Sequence, residues 1–361
     1  MNHFIATYIN FFSIFFSVVT GVSAQTLNYN APINGISFLG PQDRSLSVEM
    51  FENLRSTNAN WVALIPEAIL DRETLTLLPD EDNDHWSNTI EGQIDAIKLA
   101  KATGLKVFLK PHIKLEGFES DRSYISRRLF PKGDKTKGAY WRGDLRARNE
   151  SDWKVWEQSY EKYILKLATV ANDLDVELFA VGTELREFIK RRPAFWNQLI
   201  IKVRKKYTGA ITYSANWDEF EKVTFWGELD YIGIDAYFPV SYAKTPSVDQ
   251  VMKSWQSIKK DLRELHESVG KQILITEYGY RNVSYAGATP WEHDDGSATP
   301  NDTAQSNLYE AFYKALWNES WIAGGFCWNW LHTDLEADNT DFSIRNKPAF
   351  ELIKRWYKKS T

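Results

Sequence analysis

The stretch that decides the fold is ELFAVGTEL, residues 177–185. Five apolar or small residues in a row end in Thr183 and Glu184. A surface strand alternates polar and apolar residues, whereas a strand buried on both faces reads as a continuous apolar run. Working outward, the same pattern recurs at GISFLG (35–40), WVALIP (61–66), KVFLKPHI (106–113), AITYSANW (210–217), YIGIDAYFP (231–239), QILITEYGY (272–280) and IAGGFCWNW (322–330). Each run ends in polar or aromatic residues.

Helical periodicity fills the gaps between these runs. It is found at 47–58, at 91–103 before Gly104, at 151–173, at 194–207 before Gly209, at 247–269 before Gly270, at 302–318 and at 347–357. The 151–173 segment carries Trp153, Trp156, Tyr160, Tyr163, Ile164 and Leu167 on one stripe. The connection 218–229 is short and only weakly helical. Eight strand–helix units in this order and length predict a single-domain (β/α)8 TIM barrel. The competing answer is a doubly wound open sheet. Its dinucleotide-binding form needs a glycine-rich phosphate turn after the first strand, and GISFLGPQDRS contains none.

The 361 residues include 43 basic and 48 acidic side chains, giving a net charge of −5 that offers no footprint for nucleic acid. One cysteine, Cys327, excludes an internal disulfide framework. The six histidines form no HExxH frame, so a zinc site is not expected. Fifteen tryptophans against three methionines suggest that some indoles face a ligand. No charged side chain precedes Asp43, and an apolar run ends in Val22-Ser23-Ala24. This reads as a secretory signal over residues 1–24 with cleavage before Gln25, leaving one (β/α)8 domain over 25–361 that is secreted or periplasmic. The alternative is an uncleaved membrane anchor.

In a barrel of this kind, chemistry sits at the C-terminal ends of the strands. Two ends place a glutamate directly after an apolar run: Glu184 on the fourth and Glu277 on the seventh. A carboxylate there is costly to desolvate unless it is paired or put to use. One such residue has a plain alternative as a buried ion-pair partner; two reaching into one cleft fit the pair of carboxyl groups that glycoside hydrolysis requires.

The stretches LKPHI (109–113), YWRGDL (140–145), LFAVGTEL (178–185), ITYSANWDEF (211–220), LDYIGIDAYFP (229–239), ITEYGYR (275–281) and GGFCWNW (324–330) resemble clan A of the glycoside hydrolases. Within it they resemble family 113, the β-mannanase family, in which Thr rather than Asn precedes the acid/base, as Thr183 does here. The resemblance implies that Glu184 is the general acid/base and Glu277 the nucleophile of a configuration-retaining double displacement that needs no metal or organic cofactor. It also implies that Tyr237 hydrogen-bonds the nucleophile and that Trp328 forms the floor beneath the sugar.

Further substrate-binding candidates are His112 and Lys110 on strand three, Trp141 in the long third loop, Asn216 and Trp217 at the end of strand five, Trp291 in the seventh loop, and Trp330, which shares a strand face with Trp328. Arg281 is an expected ion-pair partner. Lys190-Arg191-Arg192 reads as a charged surface turn, and Lys132–Lys137 as a solvated loop. The expected activity is that of a monomeric endo-β-1,4-mannanase acting on mannan or glucomannan. A β-mannosidase, a hydrolase of another β-glycan and a non-catalytic carbohydrate-binding barrel are the alternatives.

Overall fold

A computed structural model describes residues 32–359, apart from 72–73, 79–82, 116–140, 148, 294–297 and 334–338. The signal segment 1–24 and the run Lys132–Lys137 therefore lie outside the described residues. Among the described residues, no helix is long and apolar enough to cross a membrane.

The eight apolar runs become eight strands: β1 (Ile33–Leu39), β2 (Trp61–Leu64), β3 (Lys106–Leu109), β4 (Leu178–Thr183), β5 (Ala210–Asn216), β6 (Ile232–Asp235), β7 (Ile273–Tyr278) and β8 (Ile322–Leu331). All pair in parallel with their sequence neighbours, and β1 pairs with both β2 and β8, so the sheet closes on itself. Closure decides for the TIM barrel against the doubly wound sheet. It also explains the continuous apolar runs, because one face of each strand points into the barrel and the other against helices.

The barrel interior is plugged by Ile33, Trp61, Ala63, Phe108, Leu178, Ala180, Leu274 and Phe326. Gly35 on β1 makes room for this layer, since any Cβ there would run into the Phe326 ring. The helices α1 (Val48–Arg55), α2 (Ile90–Ala102), α3 (Glu150–Asp173), α4 (Arg186–Arg191), α5 (Pro193–Arg204), α6 (Val248–Val269), α7 (Asp302–Leu316) and α8 (Pro348–Lys359) cover the outside. Side-chain caps at Thr89, Asn149, Ser247 and Asn301 start α2, α3, α6 and α7. The anticipated stripe of α3 is buried at Trp153, Trp156, Tyr160, Ile164 and Leu167.

One detail of the strands differs from the sequence reading. The third run divides at Pro111, which has no N–H to offer a ladder. Beyond it His112–Lys114 pairs with Glu67–Ile69 as a separate two-stranded parallel ribbon above the barrel. The weakly helical connection 218–229 holds two short 3-10 turns, Phe220–Lys222 and Trp226–Glu228. The basic run at 190–192 is not a turn: Lys190 and Arg191 end α4, and Arg192 links it to α5; Arg191 pairs with Glu187, and Arg192 with Glu150 and Glu157.

Candidate active site

Strand ends β3, β4, β6, β7 and β8 deliver one cluster. Glu277 closes β7 and is almost fully buried. Its Oε2 accepts a 2.8 Å hydrogen bond from the Tyr237 hydroxyl, and its Oε1 receives the Lys110 ammonium. His112 Nε2 lies 3.4 Å from the same Oε1. Lys110 is wholly buried and also donates to Asp235 Oδ1 at 3.0 Å, while Thr276 Oγ1 donates to that oxygen at 2.7 Å. Burial by itself would raise the Glu277 pKa. The Lys110 charge and the His112 side chain outweigh it, and Glu277 is held well below the usual carboxylate range. Asp235 moves the other way, pushed up by burial and by the charge of Glu277. Burial and the neighbouring Arg142 charge lower His112 to about 3, so its imidazole is neutral.

Glu184 follows β4 in the left-handed region, at φ 54°. That conformation costs a non-glycine residue about 1–2 kcal/mol and turns its side chain out of the strand's alternation. The turn is pinned to β5, where Glu184 N–H donates to Ser214 O at 2.8 Å and Leu185 N–H to the Tyr213 hydroxyl at 2.6 Å. Glu184 Oε2 accepts from Trp141 Nε1 at 3.3 Å and from Arg142 Nε and Nη2 at 3.4 and 3.3 Å. These contacts are long and converge on one oxygen. Burial therefore prevails, helped by the charge of Glu277, and the Glu184 pKa is raised although Arg142 opposes it. The charge of Glu277 thus acts on Glu184 across the cleft.

The remaining candidates divide. Trp328 is half-buried, and its indole lies parallel to the His112 ring, 6.2 Å away, beside the carboxyl cluster. Trp217 and Trp291 stack at 5.4 Å, and Trp291 is 37% exposed, which leaves an indole face open to solvent. Asn216 is engaged within its own turn, donating to Asp218 Oδ1 and accepting from Trp217 N–H.

Trp141 has one ring face covered by the Arg186 guanidinium at 4.7 Å. Arg186 also bridges Asp144 of the third loop and Asp218 of the fifth. Gly143 lets the indole fold back over its own turn, because a Cβ there would strike the ring. Trp141 is thus a hydrogen-bond donor to Glu184 with a covered face, rather than an open platform. Lys110, with no exposed surface, lies beneath Glu277 rather than at a sugar-facing position.

A further expectation needs correction. Trp330 does not share a face with Trp328. It is buried against Phe350 and under Arg345 on the helix side of β8. The cause is an irregularity in the β1–β8 ladder, where Ile36 pairs with Cys327 but Phe38 with Trp330, so three residues on β8 span two on β1. Arg281 donates to the carbonyls of Thr340 and His293.

The sequence reading assigned no role to Arg142, although it stands next to Trp141, or to Glu219. Glu219 is fully buried, accepts from the Tyr213 hydroxyl at 3.0 Å, and has its pKa pushed up to about 8 by burial and by the charge of Glu184. In sequence it is one of two adjacent acids in a polar turn, and nothing local distinguishes it from a solvated residue.

Among the described residues, no group of three or more His, Cys, Asp or Glu is arranged to hold a metal ion. The cluster is a pair of buried, unequally charged carboxyl groups with an indole beside them. The family model of Glycoside Hydrolase Family 113 matches residues 40–347.

The chain belongs to glycoside hydrolase family 113.

Among solved structures, this family 113 chain is similar to a GH113 β-mannanase from Alicyclobacillus acidocaldarius in complex with ManMIm. The two are 24% identical over 92% of this chain and 98% of that one, with a TM-score of 0.77. A GH113 β-1,4-mannanase complex is 22% identical over 91% and 99% of the two chains, with a TM-score of 0.73. A Faecalibacterium prausnitzii β-glucuronidase matches at 14% identity and a TM-score of 0.57, over 92% of this chain and 49% of that one. At these identities the likenesses establish the barrel. Among curated proteins, none matches the chain.

Proposed function

We propose that this glycoside hydrolase is a retaining endo-β-1,4-mannanase, with Glu184 as acid/base and Glu277 as nucleophile. The observation that carries the reading is the opposite polarisation of two equally buried glutamates: one raised and able to hold a proton, the other lowered and ionised. In the first step a Glu277 oxygen attacks the anomeric carbon while Glu184 gives its proton to the departing glycosidic oxygen. This leaves a glycosyl ester on Glu277. In the second step the Glu184 carboxylate takes a proton from water, whose oxygen displaces Glu277. Two inversions give net retention.

Lys110 and Tyr237 hold the nucleophile ionised and oriented. Trp328 supplies an apolar face beneath the sugar, with neutral His112 against it. The exposed indole of Trp291 offers a platform for a further residue of the chain. Mannan as substrate is supported by the family and by the printed activities of its solved relatives. Export through a signal cleaved after Ala24, and a monomeric state, complete the reading.

Incubation with β-mannan, glucomannan, cellulose and xylan, followed by product-length analysis, tests the substrate. Internal cleavage of mannan to mixed oligomers is expected. Release of mannose alone would favour a β-mannosidase, and activity confined to another glycan would refute the mannan assignment. Proton NMR of early product tests retention: β-anomer first supports it, α-anomer first contradicts it.

A further inference from the structure

The turn that aims Glu184 is not held by backbone alone. Leu185 N–H donates to the Tyr213 hydroxyl at 2.6 Å, so that hydroxyl must send its own proton elsewhere. It donates to Glu219 Oε1 at 3.0 Å. The Tyr213 ring is clamped by Trp196, Phe225 and Trp226 at centroid distances of 5.4, 5.7 and 6.2 Å, so it has little freedom to point its hydroxyl otherwise. Glu219 is anchored at its own backbone, with its N–H donating to Asn216 O at 3.0 Å and its carbonyl accepting from Lys222 N–H at 2.8 Å. It is fully buried, and among the described residues its Oε2 has no hydrogen-bond partner. A buried carboxyl with an idle oxygen is expensive and calls for a reason.

We propose that Glu219 is a positioning residue for the acid/base, acting through Tyr213 to fix the turn in which Glu184 presents its carboxyl to the leaving oxygen. The inference rests on the assignment of Glu184 as acid/base. Glu219 does not touch the sugar. It supplies the acceptor that orients the Tyr213 hydroxyl, and the oriented hydroxyl accepts the Leu185 N–H that follows the strained residue. The charged and titratable groups around it are Glu184, Asp218, Tyr213 and Arg186.

The test separates aiming of the acid from general damage by varying the leaving group. Bond cleavage in mannotetraose needs a proton on the leaving oxygen, whereas cleavage of 2,4-dinitrophenyl β-mannobioside does not. For Tyr213→Phe and Glu219→Leu, kcat/KM on mannotetraose should fall about 100-fold, within the span that general acid catalysis contributes. On the dinitrophenyl substrate it should change by about threefold or less. Glu219→Gln keeps an acceptor oxygen for Tyr213 and should recover most of the loss. Tyr213→Phe removes one oxygen and leaves the ring's packing, so it carries the test if Glu219→Leu does not fold.

Equal losses on both substrates, or no loss on either in a folded variant, would overturn the proposal. Glu184→Ala serves as the reference. If it shows no dependence on the leaving group, the acid/base assignment itself fails. If it does and the Tyr213 and Glu219 variants do not, only the positioning role fails.

Discussion

Glu184 and Glu277 are exposed to nearly the same small degree, 8% and 5%, and both stand at the end of a buried parallel strand. Their chemistry is nevertheless opposite. Around Glu277 a buried ammonium, a phenol and an imidazole share two oxygens, and the ionised form wins. Around Glu184 an indole and a guanidinium reach a single oxygen at 3.3–3.4 Å, and burial wins. Depth therefore does not assign the roles; the number and closeness of donors do.

The largest way to break this contrast is to remove the proposed nucleophile. Glu277→Ala should lower turnover at least about 10⁴-fold, the scale seen when a nucleophile is deleted. Added azide should restore turnover by forming an α-glycosyl azide, which NMR identifies. Next, Glu184→Ala should cost about 10²–10⁴-fold on mannan. Azide should here give a β-glycosyl azide, because the second displacement still proceeds at the anomeric carbon. Swapped azide stereochemistry would reverse the two roles.

Lys110→Met sharpens the comparison from the other side. It removes the charge that holds Glu277 down, so about 10²-fold of activity should be lost. The acid limb of the kcat/KM profile should also move to higher pH. In the wild-type protein the sign is fixed by the two shifts. Activity needs Glu277 ionised, so it falls as pH drops through a pKa set below the ordinary carboxylate value. It needs Glu184 protonated, so it falls as pH rises through a pKa set above that value. A Lys110→Met acid limb unchanged from wild type would remove the lysine from this account. The smallest effect is expected at Trp291→Ala. Loss of an exposed indole should raise KM on long mannan by severalfold, about 0.5–1.5 kcal/mol, with kcat little changed. An unchanged KM on long substrates would take Trp291 out of the binding cleft.

The barrel was legible because every strand is sealed on both faces, so ELFAVGTEL and its seven counterparts read as continuous apolar runs. Glu184 and Glu277 were legible for the same reason: an acid directly after such a run has no cheap local explanation. What escaped depends on contacts between distant segments. Trp330 was placed beside Trp328 by strict alternation, and an irregular β1–β8 register moved it to the helix side. Lys110 looked like a sugar ligand until its partners, 125 and 167 residues away, appeared around it. Glu219 lies in a turn whose composition suggests solvent, and only the folded chain reveals that Tyr213 points at it.

The most direct measurement is to trap the intermediate. Treatment with an activated 2-deoxy-2-fluoro β-mannoside, followed by proteolysis and mass spectrometry, should place a single sugar label on Glu277, in the peptide containing Ile275-Thr276-Glu277. A label on Glu184, or turnover with no covalent species and α-configured product, would contradict the division of labour between the two carboxyl groups.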